Sequence, residues 1–378
     1  MTEIPLRDVI VVGAGIAGLS ATRALRAAGL DVVCLEARDR VGGRLLTART
    51  DDGPLDLGAT WYWPGERRVS DLLTGLGMTG FASHTTGDAL FDHPGGVERL
   101  TGNPFGAPSL RYGGGAALLA DRSAAALPAG TVHLDTPVSA IGPHPRGLVV
   151  RTPSGELPAA HVVLAVPPAL AAARVAFPAG VPASLLRLAA ATPVWMGPVA
   201  KVVARYRTPF WRERGLSGAA FSGTGPLREI HDLSGPGGSP AALFGFAQGG
   251  PAGSERALAD RATRQLVRLF GERAGDPVEM VVQDWSRQEW TSPPGVGRLG
   301  DHALYGHPHY RRPALDGRLH WASTETATEY AGHVEGALAA AEDAVAAVLH
   351  ATHAAASAAH ASAHAPATVT VTSGRKDN

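Results

Sequence analysis

Asp8-Val9-Ile10-Val11-Val12-Gly13-Ala14-Gly15-Ile16-Ala17-Gly18 is the stretch that decides how this chain is read. Five residues of strand type run straight into Gly-x-Gly-x-x-Gly, and Leu19 to Gly29 then carries apolar residues at helical spacing. Asp31-Val32-Val33-Cys34-Leu35-Glu36 follows as a second strand that ends in a carboxylate. Strand, glycine turn, helix and strand in this order predict a dinucleotide-binding unit, which the glycine pattern alone would not. Gly13 allows the tight turn, Gly15 lets the backbone approach a pyrophosphate, and Gly18 lets the helix pack on the strand. The first helical turn, with Ala17, offers unpaired N–H groups and a partial positive charge to the phosphates. Glu36 lies 18 residues beyond Gly18 (36 − 18), where a carboxylate can accept both hydroxyls of a ribose. A carboxylate there repels a 2′-phosphate, which argues against NADP as the resident nucleotide.

Composition narrows the function classes. The 378 residues suffice for two domains, and a formal net charge of zero gives nothing to attract nucleic acid or an anionic membrane. The N-terminus has no apolar signal core and no stretch approaches a spanning helix. Cys34 is the single cysteine, so no internal disulfide forms and a cytoplasmic home is the expectation. Of 34 basic residues only Lys201 and Lys376 are lysine. Lysine can surrender a proton and arginine cannot, so the one lysine of the folded body is a functional candidate.

Beyond Glu36, the run Ala37-Arg38-Asp39-Arg40-Val41-Gly42-Gly43-Arg44 joins paired glycines to arginines suited to phosphate oxygens. Asp56-Leu57-Gly58-Ala59-Thr60-Trp61 is a small-residue stretch suited to lie against a flat ring. The glycine unit and these two segments together resemble the flavin-containing amine oxidases, the family of monoamine oxidases, polyamine oxidases and histone demethylases of the same fold. The resemblance implies an α/β fold: a Rossmann-like FAD-binding domain with a second, mixed-sheet plus helices substrate domain. It implies non-covalent FAD, with Glu36 and Ala37 at the adenosine ribose and Arg38, Gly43 and Arg44 near the pyrophosphate. Gly58, Ala59, Thr60 and Trp61 would lie along the isoalloxazine, and the backbone of Val138 would read the adenine.

Further along, Arg67 to Leu76 reads as a helix. Phe81 to Tyr112, rich in glycine and proline, reads as irregular, where the family usually carries a large helical insertion over the substrate cavity. A smaller cap predicts a more open site, or one roofed by a second copy in a homodimer. Tyr112-Gly113-Gly114-Gly115 opens a helix to about Ala126, and Thr131 to Ile141 reads as a strand broken by Pro137. Leu148 to Thr152 and Glu156-Leu157 flank a hairpin turn, and His161 to Val166 is a buried strand. Pro182 to Ala191 reads as a helix, and Gly197 to Tyr206 as a strand with Lys201 on the face of Val199 and Val203. Glu255 to Phe270 is an amphipathic helix.

The spacing Lys201…Tyr206…Pro209-Phe210-Trp211 again resembles amine oxidases, in which the lysine holds a water against flavin N5. A solvated strand-edge lysine is the alternative. The strand Val278 to Trp285 resembles the one whose tryptophan lies near the flavin. Pro294 and Gly295 align with the family's flavin-linking cysteine and first cage tyrosine, which excludes a cysteine link there. Gly317 to Ala327 resembles the second flavin signature, which implies Glu325 and Thr326 at the ribityl and phosphate region and the N–H of Val334 at the flavin carbonyl. His333 takes the place of the second cage tyrosine. The catalytic candidates are thus Lys201, Trp285 and His333, with no metal site.

The expected FAD-binding domain comprises residues 1–80, 112–180 and 288–350, and the substrate domain 81–111 and 181–287. Residues 351–378, rich in alanine and histidine (His353, His360, His364), are expected to be disordered. The expected activity is hydride transfer from a carbon beside nitrogen to FAD, with O2 as electron acceptor giving H2O2 and an altered, bulky or polar amine as the small-molecule substrate. A dehydrogenase or desaturase of a specialised metabolite and a flavin-binding protein without turnover are the rival readings, and Lys201 argues against the latter.

Overall fold

The strand Arg7–Val12 forms the middle of the parallel part of a mixed sheet because its side chains are apolar on both faces, with Val9, Ile10 and Val11 fully buried. Val32–Leu35 and Gly155–Leu164 flank it in parallel register. The computed structural model describes residues 5–104, 106–249, 255–298 and 300–363. Its first seven-stranded sheet runs Val132–His133, Val32–Leu35, Arg7–Val12, Gly155–Leu164, Gly147–Thr152, Ala140–His144, with Leu319–Trp321 parallel to Gly155–Leu164. One face is covered by the helices Ile16–Ala27 and Val334–Ala363, whose apolar residues Leu19, Leu25, Leu338 and Val348 join Val9 and Val163 in one core.

The second sheet also has seven strands, in the order Glu279–Asp284, Val199–Tyr206, Ala241–Gln248, Glu229–Asp232, Leu216–Ser222, Asp88–His93, Gly96–Leu100. All its pairs are antiparallel except Leu216–Ser222 with Asp88–His93. Alternation splits Val199–Tyr206 cleanly. Ala200, Val202 and Ala204 pack on the helix Glu255–Phe270 through Leu266, Leu269 and Phe270. Val203 on the other face packs with Leu55, Leu57 and Phe244, and Lys201 shares that face. The Leu55–Trp61 segment therefore lies against this face of the second sheet.

Three sequence expectations need correction. Residues 81–112 are not irregular: Gly80–Ala82, Asp88–His93, Gly96–Leu100 and Leu110–Tyr112 are strands, and Pro94-Gly95 forms the turn of a hairpin. The glycines sit at turns rather than through the segment. Thr131 to Ile141 is not one strand: Val132–His133 pairs at one edge of the sheet, Asp135 at φ 51° breaks the run, and Ala140–His144 is a separate strand at the other edge. Residues 351–363 are not disordered: they continue the helix Val334–Ala363, since an alanine-rich run propagates a helix already started by packing. His364 and Lys376 lie outside the described residues.

Candidate active site

The turn after Arg7–Val12 leads into the helix Ile16–Ala27, and Gly15 stands at its start with no side chain capping the first N–H groups. A Cβ on Gly15 would meet nothing within 4 Å, so this backbone faces open space. A Cβ on Gly18 would lie 1.9 Å from the Gly13 carbonyl oxygen, so Gly18 serves helix–strand contact and not the cavity. Glu36 is buried, and its two carboxylate oxygens accept the N–H groups of Ala14 (2.7 Å) and Arg38 (3.0 Å). Arg38 reaches across the chain, donating to Trp290 O (3.2 Å) and Thr291 Oγ1 (2.7 Å). Burial pulls its guanidinium down to about 10, Glu36 opposing.

These groups line one cavity of about 560 Å³ that runs from the glycine turn to the second sheet. It brings together Gly13, Gly15, Ala17, Glu36, Ala37, Arg38, Gly43, Arg44, Gly58, Ala59, Thr60, Trp61, Val138, Lys201, Trp285, His333 and Val334. Three expected residues stand off its wall: Gly18, Glu325 and Thr326. Glu325 is fully buried behind it and binds Arg44 through two bonds of 2.6 and 3.1 Å, with further donors from Trp195 N (3.0 Å) and Ser323 Oγ (2.6 Å). Burial works against both charges, yet their attraction outweighs it: the Glu325 carboxyl is held below its ordinary range and the Arg44 guanidinium above. Thr326 closes a capping box with Ser323, and it is Ser323 and Thr324 that face the cavity.

Lys201 is 1% exposed on a central strand, which rules out a solvated edge lysine. Its Nζ donates to Gly58 O at 3.1 Å, contacts Thr60 Oγ1, and lies 4.3 Å from the Phe244 ring centroid. Burial pulls its pKa from 10.5 to about 7, with Asp56 opposing and the Arg111 charge assisting. Trp285 is buried and donates Nε1–H to Leu57 O at 3.1 Å, which ties the end of the strand Glu279–Asp284 to the same segment.

The aromatic lining comes from positions the sequence reading did not single out. Trp63, Trp195, Phe246 and Trp290 join Trp61 and Trp285 on the wall. Trp63 packs on His333 with ring centroids 4.9 Å apart, and Trp61 meets His231 edge-on at 4.9 Å. Glu229 also faces the cavity, and its Oε1 meets His231 Nε2 at 2.7 Å. The Trp61-Tyr62-Trp63 alternation was a signal for Trp63. Glu229 carried none.

A turn whose backbone opens onto a long cavity, a buried ribose-type carboxylate and a buried lysine at the far end define a dinucleotide-dependent oxidoreductase site. Comparison with known proteins gives the family. The profile described as "Flavin containing amine oxidoreductase" matches residues 103–349, and that of an NAD(P)-binding Rossmann-like domain matches residues 11–76. The chain is 29% identical to a putative flavin-containing monoamine oxidase of Mycobacterium tuberculosis, covering 90% of this chain and 96% of the relative. It is 28% identical to a putrescine oxidase of Kocuria rosea, over 91% and 95% of the two chains. Among solved structures, putrescine oxidase bound to putrescine superposes with a TM-score of 0.81 at 25% identity, covering 92% of this chain and 99% of that one. Cyclohexylamine oxidase from Brevibacterium oxydans IH-35A gives 0.80 at 26%, covering 92% and 100%.

The chain belongs to the flavin-containing amine oxidoreductase family, and its cofactor is FAD. Its residues fit that group: Gly15 leaves room for a pyrophosphate, and Glu36 is fixed for a ribose. The one cysteine, Cys34, is buried under the first helix with its thiol pushed up to about 12 by burial, so no cysteine links the flavin. The mycobacterial alignment spans 443 positions but holds only about 340 residues of this chain (0.90 × 378), so roughly 100 positions (443 − 340) face gaps here. The short strands between Gly80 and Tyr112 fit such a shortening.

Proposed function

We propose that the protein is an oxidase of a small amine, breaking a C–H bond on the carbon attached to nitrogen. When bound, FAD supplies the two-electron acceptor at N5 and returns the electrons to O2 as H2O2. The observation that carries this reading is Lys201, an ammonium walled in against Gly58 and Thr60 on the very segment expected to lie along the flavin ring. A pKa of about 7 lets its Nζ hold or release a proton near neutral pH.

Each remaining residue has a task. Glu36 binds the adenosine ribose, and Arg38 with the open N–H groups after Gly15 binds phosphate. Trp61, Trp63, Phe246 and Trp285 exclude water and orient the substrate carbon. Glu229 offers a carboxylate on the aromatic part of the wall, which suits a substrate with a second positive charge. The putrescine-bound structure of a relative supports the same class.

The test is peroxide release by the purified yellow protein across a panel of monoamines and diamines. Amine-dependent peroxide supports the reading. Substrate oxidation that proceeds with an artificial acceptor and yields no peroxide in air would replace it with a dehydrogenase.

A further inference from the structure

Two histidine–carboxylate pairs stand beside the tryptophans of the cavity, and they are built differently. Glu229 of the first pair has a side chain 39% exposed. In the second, His333 Nδ1 meets Glu66 Oε1 at 2.5 Å, and the Glu66 side chain is 1% exposed. Glu66 immediately precedes the helix Arg67–Gly75, at the position where a short polar side chain such as Asp or Ser ordinarily caps the helix. Glu66 does not. Glu335 takes the N–H groups of Arg68 (3.2 Å) and Val69 (2.9 Å), which frees Glu66 to accept Trp63 N (3.3 Å) and hold His333. One helix start, at Val334, thus delivers both the substitute cap and the histidine.

A carboxylate only accepts, so Nδ1 carries the hydrogen, and in the neutral ring Nε2 is then an acceptor on a ring that lines the cavity. Other titratable or charged groups surround the pair. Tyr330 lies 6.1 Å from the His333 ring, Tyr112 lies close enough to feel the Glu66 charge, and Arg68 meets Glu335 at 3.2 Å. Lys201 and Glu229 line the same cavity.

We propose that His333 is the base that takes the ammonium proton from the entering amine, with Glu66 as its positioning residue. The inference rests on the amine-oxidase reading above. At neutral pH the substrate arrives as R–CH2–NH3+, whose nitrogen has no lone pair to help a hydride leave the neighbouring carbon. Transfer of the N–H proton to Nε2 gives R–CH2–NH2 and an imidazolium whose charge faces Glu66. The freed lone pair then becomes the second bond of C=N as the C–H bond breaks, the hydride going to the acceptor that the established cofactor supplies. The imidazolium afterwards returns its proton to water.

The test compares wild-type holoenzyme with His333→Asn and Glu66→Gln. At pH 7, H333N should keep its flavin but be reduced by amine about 100-fold more slowly, and the deficit should narrow as rising pH deprotonates the amine in solution. E66Q should show a smaller loss with the same narrowing, which a merely structural role would not produce. A second readout needs no turnover. The 13C-histidine resonance missing from H333N should move to the imidazolium position with saturating tert-butylamine, which has no α-hydrogen, and stay put with tetramethylammonium, which has no N–H.

Variants reduced as fast as wild type at pH 7, a loss equal at every pH, or a resonance that ignores tert-butylamine or follows both ligands would each overturn the proposal. If no amine reduces the wild-type flavin, the amine-oxidase reading itself fails, a result distinct from variants that match an active wild type.

Discussion

Replacing Lys201 by methionine should stabilise the fold at low pH while slowing the enzyme. Burial takes the ammonium from 10.5 to about 7, so between these values the unfolded chain holds more protons than the native one. Wild-type stability therefore rises with pH through that window, and below it the buried charge carries its whole cost. For a shift from 10.5 to about 7 this cost is about 5 kcal/mol at pH 6 and is smaller by roughly 3 kcal/mol at pH 9.5. Methionine removes that cost but loses the bonds to Gly58 O and Thr60 Oγ1, about 1 kcal/mol each. K201M should thus be more stable than wild type by roughly 2–3 kcal/mol at pH 6, with the advantage shrinking by roughly 3 kcal/mol by pH 9.5. Urea unfolding at the two pH values, with FAD at the same excess for both proteins, reads this directly. A difference that does not change with pH, or a K201M protein weaker than wild type at pH 6, would refute the buried-ammonium account. In stopped flow the same variant should keep its yellow colour and lose rate in turnover or reoxidation.

Other outcomes follow from the same geometry. Gly15→Ala should fold but purify with little flavin, because its Cβ meets no protein atom and enters the phosphate space; Gly18→Ala should lose about 2–4 kcal/mol of stability through collision with Gly13 O, read by thermal melting. Arg44→Ala leaves Glu325 buried and unpaired, and denaturant titration should show a loss of about 3–5 kcal/mol, partly restored by adding Glu325→Gln. Glu229→Gln should raise KM for diamines about 10-fold, equivalent to about 1.4 kcal/mol, with little change for monoamines.

The strand–turn–helix unit and the placing of Glu36 beside it were legible because that information is local: all of it lies within one short run of sequence. Lys201 was legible for a different reason, one of only two lysines, with Lys376, in a chain that otherwise uses arginine. What escaped the sequence depends on distant segments meeting. Glu66 and His333 are 267 positions apart, and Arg44 and Glu325 are 281 apart, so no spacing rule pairs them. Family likeness aimed Glu325 at the cofactor, whereas the fold uses it as the buried partner of Arg44. The cage positions told only part of the lining: Pro294, Gly295 and His333 are non-aromatic, and Trp63, Trp195 and Trp290 reach the wall from other elements. In residues 81–112, glycine and proline masked strands that their tertiary neighbours complete.

Anaerobic mixing of the purified protein with putrescine tests the central claim most directly. The account predicts that the visible flavin band bleaches on mixing and returns with air, releasing one H2O2 per amine oxidised. A protein saturated with FAD whose band persists through putrescine and every other amine tried would contradict it.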